Sequence, residues 1–405
     1  MKVYITYFVV LLIAPCFAQN LHFKTYTTKD GLSQNSPYSI TETPDGFMWF
    51  GTQHGINRFD GKSFKKTRFK FRNPGFRPAE MITTMHVDRD SIFWAGSVSQ
   101  VFIMDYKTDS IYAVSEKLPY ASIKNDLWTY KILENSNGVI FIHQTNVINI
   151  IDKKARKGYV AKAGFFGEDI VDMALSFDKK KLYVATKTKI YQWESANNWK
   201  LIKSKRPLLI KGSGIRSIGV VNDRIWLIST DNEIKILDPV SGEASNTDNL
   251  IPKAEIFADP VRVHQSDAST VWLGSRSDGV LKISLASNNL QHGRASADPN
   301  SLLKNFILSF YTSSQGITWI GVSGAGVAKH DPASQQFALW RIKASPGSEK
   351  IPENFITAMY TDDGVNFYLS TMTGGLLILN VKTNEHSYHL PPESKQFRTD
   401  ARNMY

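Results

Sequence analysis

Residues 47–52 read FMWFGT, an apolar run centred on Trp49 that ends in Gly-Thr. Seven similar runs follow: IFWAGS (92–97), VIFIHQ (139–144), KLYVAT (181–186), RIWLIS (224–229), TVWLGS (270–275), ITWIGV (317–322) and NFYLST (366–371). Their central aromatics are Trp49, Trp94, Phe141, Tyr183, Trp226, Trp272, Trp319 and Tyr368, spaced 45, 47, 42, 43, 46, 47 and 49 residues apart. Eight occurrences at so tight a period make the chain a repeat array.

Outward from each aromatic run, the same pieces recur. An apolar strand precedes it, as in SPYSITET (36–43), MITTMHVD (81–88) and FITAMYTD (355–362). A polar turn such as Pro44-Asp45-Gly46 or Asp362-Asp363-Gly364 joins the two. A third strand follows, as in GINRFD (55–60), EIKILD (233–238), GVLKIS (279–284) and GLLILN (375–380). A weaker fourth comes last: SFKKTRF (63–69), QQFALWR (335–341) and HSYHL (386–390). Four antiparallel strands per unit describe one propeller blade. No stretch carries a long helical period, which excludes α/β alternation. The prediction is all-β: a β-propeller of four-stranded antiparallel blades. Seven blades are expected over residues 19–345, with an eighth repeat in 346–405 that begins a second propeller. A single eight-bladed ring is the alternative. A blade cannot bury its own faces, so the aromatics read as packing between blades.

The segment LHFKTYTTKDGLSQNSPYSI (21–40) resembles a fourth strand feeding a first one, so an N-terminal strand is expected to close the ring. TDARNMY (399–405) reads as the first strand of a ninth unit, which marks the sequence as an expected piece of a longer protein. Residues 1–18, MKVYITYFVVLLIAPCFA, have a basic start at Lys2, an apolar run from Phe8 to Ala14, and small residues Cys16 and Ala18 before Gln19. That is the pattern of a secretory signal peptide, and the run is too short to span a bilayer. The expected location is periplasmic. The one cysteine, Cys16, belongs to this segment, so neither a disulfide framework nor a Cys-rich zinc site is available. With 42% hydrophobic and 21% charged residues, the composition excludes disorder and a coiled coil.

The first unit, YTTKDGLSQNSPYSITETPDGFMWFGTQHGINRFDGKSF (26–64), closely resembles the two-component-regulator propeller repeat. The matching elements are Asp30-Gly31-Leu32-Ser33, Asp45-Gly46, Trp49-Phe50-Gly51-Thr52, Gly55 and Arg58-Phe59-Asp60-Gly61. Weaker matches stand at Trp272-Leu273-Gly274 with Gly279, and at Trp319-Ile320-Gly321 with Gly324 and Gly326; units three to five lack the Gly-Thr element. The resemblance implies the periplasmic sensor of a hybrid two-component system, typically two seven-bladed propellers ahead of an immunoglobulin-like domain, a membrane span and a histidine kinase. It implies an oligosaccharide stimulus and a possible homodimer in the full-length receptor. No membrane span, phosphoacceptor helix or ATP-binding box is found here, so membrane attachment and kinase activity would belong to further sequence.

In a propeller, the turns between strands two and three and the links between blades share one face. Candidate ligand residues on that face are Gln53, His54, Asp231, Arg276 and Ser323 in the turns, and Arg72, Arg77 and Tyr120 in the links. The bland reading of each is an ordinary polar turn. KKTRFKFR (65–72) alternates basic and aromatic residues; on a strand, Arg68, Lys70 and Arg72 would share a face suited to an anionic glycan, or would simply guard an outer edge. Export argues against nucleic acid. The excess of 48 Lys and Arg over 37 Asp and Glu gives a net charge of +11, which favours acidic polysaccharides without specifying one. The glycines of GVSGAGVAKH (321–330) lack the following helix of a phosphate loop and read as a turn. TSSQGITW (312–319) resembles an Asp-box turn with Ser314 at the aspartate position. The nine histidines show no metal-binding spacing, and no carboxylate pair stands out. No catalytic residue, metal or cofactor is expected. A secreted glycan-active lyase or glycosidase and a protein-interaction scaffold are the alternative functions.

Overall fold

The structure is a computed structural model. It describes residues 21–67, 69–71, 75, 78–121, 123–194, 208–209, 213–247, 250–251, 257–333, 356–371, 375–380 and 386–389. The chain divides into two compact units, Met1–Gln335 and Gln336–Tyr405. It is an all-β propeller fold built from eight antiparallel sheets. The eight aromatic runs form the second strand of each sheet, from Met48–Thr52 in the first to Asn366–Thr371 in the eighth. Helix is confined to short turns such as Val114–Lys117 and Ala163–Phe166. The expected signal segment, residues 1–18, lies outside the described residues, and so does QQFALWR (335–341).

Seven sheets make up the first unit. Their inner strands are Ser39–Glu42, Ile82–Val87, Thr129–Glu134, Ile170–Leu175, Ile215–Val221, Pro260–Asp267 and Ile307–Thr312. Each packs on the next, and the seventh packs on the first, so the strands run in a closed circuit around an axis. The outer place in the seventh sheet is taken by the N-terminal strand Lys24–Tyr26, paired antiparallel with Gly326–His330. The second unit contributes one sheet: Ile356–Tyr360, Asn366–Thr371, Leu376–Asn380 and His386–His389.

The basic segment departs from its expected form. The outer strand of the first sheet is only Phe64–Lys66; Thr67 then bonds the carbonyl of Ile56, and Lys70–Phe71 joins the second sheet, parallel to Ser110–Ala113. Arg68 and Arg72 lie outside the described residues.

The core lies between sheets. Trp49 packs with Ile82, Met85, Phe93 and Phe102 of the second sheet, and Trp319 packs with Tyr26, Phe50 and Phe59 of the first and outer strands. The polar turns before the aromatic strands serve this packing. Asp88 is buried and accepts the N–H groups of Asp90 and Ile92 and the indole N–H of Trp94 at 2.9 Å. Thr43 accepts the Trp49 indole N–H at 2.9 Å, and Asn135 accepts the N–H groups of Asn137 and Val139. The turn that looked peculiar to 312–319 thus has counterparts with different residues in several units.

The repeat glycine has an equally local reason. A Cβ on Gly51 would meet the Ile82 side chain at 2.7 Å, and one on Gly96 would meet Thr129 at 2.6 Å. At Gly274 and Gly321 the intruding Cβ would meet Ile307 at 2.8 Å and the Pro37 carbonyl oxygen at 2.3 Å. Each glycine lets the next sheet's inner strand approach.

Candidate functional site

One register of the inner strands holds the sheets together. The residues paired with Gly51, Gly96, His143, Ala185, Ile228, Gly274 and Gly321 are Ser39, Thr84, Lys131, Asp172, Ser217, Arg262 and Ser309. Ser39 accepts the Met85 N–H at 2.7 Å, and Asp172 accepts the equivalent Ile218 N–H at 3.0 Å. Lys131 donates to Asp172 at 2.5 Å and to the Met173 carbonyl at 2.9 Å; Ser217 donates to Asp172 at 2.8 Å. Arg262 Nε donates to the Leu308 carbonyl at 3.1 Å, and Ser309 donates to the Pro37 carbonyl at 2.9 Å. One position earlier, Thr83 donates to the Thr129 carbonyl at 2.5 Å, and Arg216 reaches Asp259 at 3.0 Å and the Pro260 carbonyl at 3.2 Å. Side chains thus bridge sheet to sheet around the axis.

Most of this register is buried, but Lys131 and Arg262 are not. Arg262 is exposed although protein surrounds it, which places it on the wall of the axial channel. That enclosure disfavours its charge, Asp172 favours it and Arg276 opposes it; the guanidinium titrates below its usual range. At Asp172, burial opposes ionisation, but Lys131 and the donors from Ile218 and Ser217 outweigh it and hold the carboxyl below the usual range. His143 stands where four other sheets carry glycine and the remaining two of the first unit carry Ala185 and Ile228. Burial pushes it down to about 4, with Asp172 and Lys131 acting in opposite directions. The inner strands of the third and fourth sheets pack less extensively on each other than the other neighbouring inner strands do, and the Lys131–Asp172 bridge spans that join. Above it sit two exposed aromatics, Trp128 and Tyr130, stacked with centroids 6.2 Å apart.

Of the residues singled out from the sequence, Gln53, His54, Asp231, Arg276 and Ser323 lie in turns at this end of the inner strands. Gln53 donates to the Tyr38 hydroxyl at 3.0 Å, and the His54 backbone donates to Thr52. Asp231 takes the Ser229 hydroxyl, which with further hydrogen bonds lowers its pKa. Ser323 donates its backbone N–H to Phe306 at 2.8 Å. Tyr120 packs against the apolar cluster around Trp94, and burial raises its pKa. Arg72 and Arg77 lie outside the described residues. The turns themselves are shaped from beneath: Thr52, Ser97, Thr186 and Ser229 are buried hydroxyls bonded to the carbonyls of Gly55, Gln100, Lys189 and Glu233. Sequence reasoning missed Lys131, Asp172, Arg216 and Arg262. Their signal was a column of polar residues nine to eleven positions ahead of the central aromatics, charged in units three to six.

Residues 31–54 match the family model described as two component regulator propeller. The chain carries the two-component-regulator propeller repeat. A stretch of 46 residues is 48% identical to a protein named histidine kinase P4 from Formosa agariphila, covering 11% of this chain and 3% of that one. The extracellular domain assigned to a hybrid two component system of B. thetaiotaomicron superposes with a TM-score of 0.64 at 16% identity, over 91% of this chain and 49% of that one. A catalytically inactive virginiamycin B lyase from Staphylococcus aureus gives 0.54 at 17% identity, over 76% of this chain and 98% of that one. These two likenesses show the fold alone. The chain spans about half the length of the first of these structures. Among the described residues, no helix is long and apolar enough to cross a membrane, and no group of three or more His, Cys, Asp or Glu could hold a metal.

Proposed function

We propose that this chain is the exported sensory region of a two-component system, and that it binds an oligosaccharide at the channel mouth without turning it over. The observation that carries the reading is the propeller repeat at 31–54, joined to a channel mouth with accessible charged and aromatic side chains. In this reading, the seven sheets of the first unit form one complete propeller and the eighth sheet belongs to a second. The module acts in the periplasm, and binding biases the arrangement of the receptor, a homodimer in full, toward one signalling state. Any histidine kinase lies in further sequence of the receptor.

The test is thermal unfolding of the purified chain against a panel of neutral and acidic oligosaccharides, with product analysis of every mixture. A midpoint shift for one saccharide class with no product formed supports the reading. Release of shortened or unsaturated sugars replaces it with a glycan-active enzyme. No shift from any saccharide, in a chain shown to be folded, overturns it.

A further inference from the structure

We propose that the channel mouth seats an oxyanion-bearing saccharide, with its carboxylate or sulfate between Arg262 and Arg276; this rests on the saccharide reading above. The first argument is a pair of arginines that make no ion pair among the described residues. Arg216 is paired with Asp259 at 3.0 Å, and Arg294 with Asp278 at 2.6 Å. Arg262 instead uses two neutral acceptors, the carbonyls of Leu308 at 3.1 Å and Val261 at 3.0 Å. Those bonds fix the guanidinium while leaving its second terminal nitrogen, Nη2, unengaged among the described residues. The Arg276 side chain is exposed and has no ion pair among the described residues, and its backbone N–H donates to the Asp259 carbonyl, two positions along the sheet from the Arg262–Gly274 pair. Two guanidinium groups borne on paired segments of one sheet form a fork suited to a planar carboxylate or a tetrahedral sulfate.

The second argument is the balance at the mouth. Asp172 is engaged by Lys131 and Asp259 by Arg216, while Arg262 and Arg276 make no ion pair among the described residues. The third is the aromatic pair. Trp128 and Tyr130 are 38% and 50% exposed at the same end of the inner strands. Their stacked rings, inclined by 28°, offer an apolar surface to the C–H face of a sugar. The anion seat and the stacking platform together describe an acidic sugar rather than a free ion.

The experiment compares trigalacturonate, a sulfated disaccharide, a neutral trisaccharide and inorganic sulfate on the whole chain at matched ionic strength. Trigalacturonate or the sulfated disaccharide should bind at least tenfold more tightly than the neutral sugar, and the preference should fall as salt rises. Sulfate should raise the unfolding midpoint over chloride. Arg276→Gln, at an exposed site that bonds no neighbouring sheet through its side chain, should abolish both effects, and Arg276→Lys should restore part of them. Equal binding of acidic and neutral sugars overturns this inference and leaves the saccharide reading standing. A sulfate shift lost in Arg276→Gln with no sugar bound overturns the saccharide reading and supports the anion seat. A sulfate shift unchanged in Arg276→Gln overturns the seat.

Discussion

Ser309 donates its hydroxyl to the carbonyl oxygen of Pro37 at 2.9 Å, joining residues 272 positions apart. Beside it, Ser314 bonds Glu42 through both its N–H and its hydroxyl, each at 2.7 Å. The seventh sheet is therefore fastened to the first by the same kind of bond that joins consecutive sheets, and the N-terminal strand adds a covalent route across the same join. No disulfide is available to do this work, so closure rests on strand pairing and packing.

Tyr26 is the residue whose loss should open that join. It lies in the N-terminal strand, buried, with Phe59 at 5.1 Å, Phe64 at 5.8 Å and Trp319 at 6.0 Å between ring centroids. Tyr26→Ala removes an aromatic shared by the first and seventh sheets, and should cost about 3 kcal/mol in urea unfolding. Tyr26→Phe keeps the packing and should cost about 1 kcal/mol or less. Equal midpoints for the wild type and the Ala variant would show that the strand does not close the unit.

The glycine column gives a second prediction. Gly321→Ala places a methyl 2.3 Å from both the Pro37 oxygen and the Ser309 hydroxyl, where backbone must move. The cost should be about 1–3 kcal/mol. Gly164→Ala is the control: nothing lies within 4 Å, and its effect should be neutral or slightly stabilising. The same loss at both sites would show that the approach of neighbouring sheets does not set the cost.

The period of the central aromatics made the fold readable, because each blade repeats one packing solution and must place a large residue at the same depth. Trp49, Trp94, Trp272 and Trp319 are all buried in that role. The rim turns were readable for the same reason. The channel wall was not. Lys131, Asp172 and Arg262 occupy a register where the other four sheets of the first unit carry Ser or Thr, so their meaning depends on which sheets become neighbours around the axis. The bulge at the start of several inner strands also shifts that register against the aromatic by a residue. Tyr120, in a link between sheets, packs against the cluster around Trp94.

Asp172 carries the join between the third, fourth and fifth sheets. Asp172→Ala strips Lys131, Ser217 and the Ile218 N–H of their acceptor at once. Leaving buried donors unpaired should cost about 3 kcal/mol. Because its folded pKa is lowered, the stabilisation is present above the unfolded pKa and is lost as pH falls through the folded value. The difference between wild type and variant should therefore be flat from pH 7 to 5 and shrink only in stronger acid. A difference that shrinks already between pH 7 and 5 would assign the effect to a histidine instead.

Three histidines, His143, His264 and His330, set the pH response above that range. Burial pushes each down to about 4; Lys282 adds to the effect at His330, while Asp172 opposes it at His143. An unfolded histidine titrates near 6.5, so between these values the unfolded chain binds the extra proton and stability falls as pH falls. The stabilisation is fully present above pH 6.5. At pH 5 each residue should have lost about 2 kcal/mol of it, from the two pKa values and the linkage relation. Urea midpoints should therefore drop clearly from pH 7.5 to pH 5. In a His143→Gln, His330→Gln variant, which has nothing to protonate at either site, the drop should shrink by most of what those two residues supply. A wild-type midpoint that is unchanged at pH 5 would mean that the His143 and His330 rings already carry their protons in the folded state, against a burial that leaves each about 1% exposed.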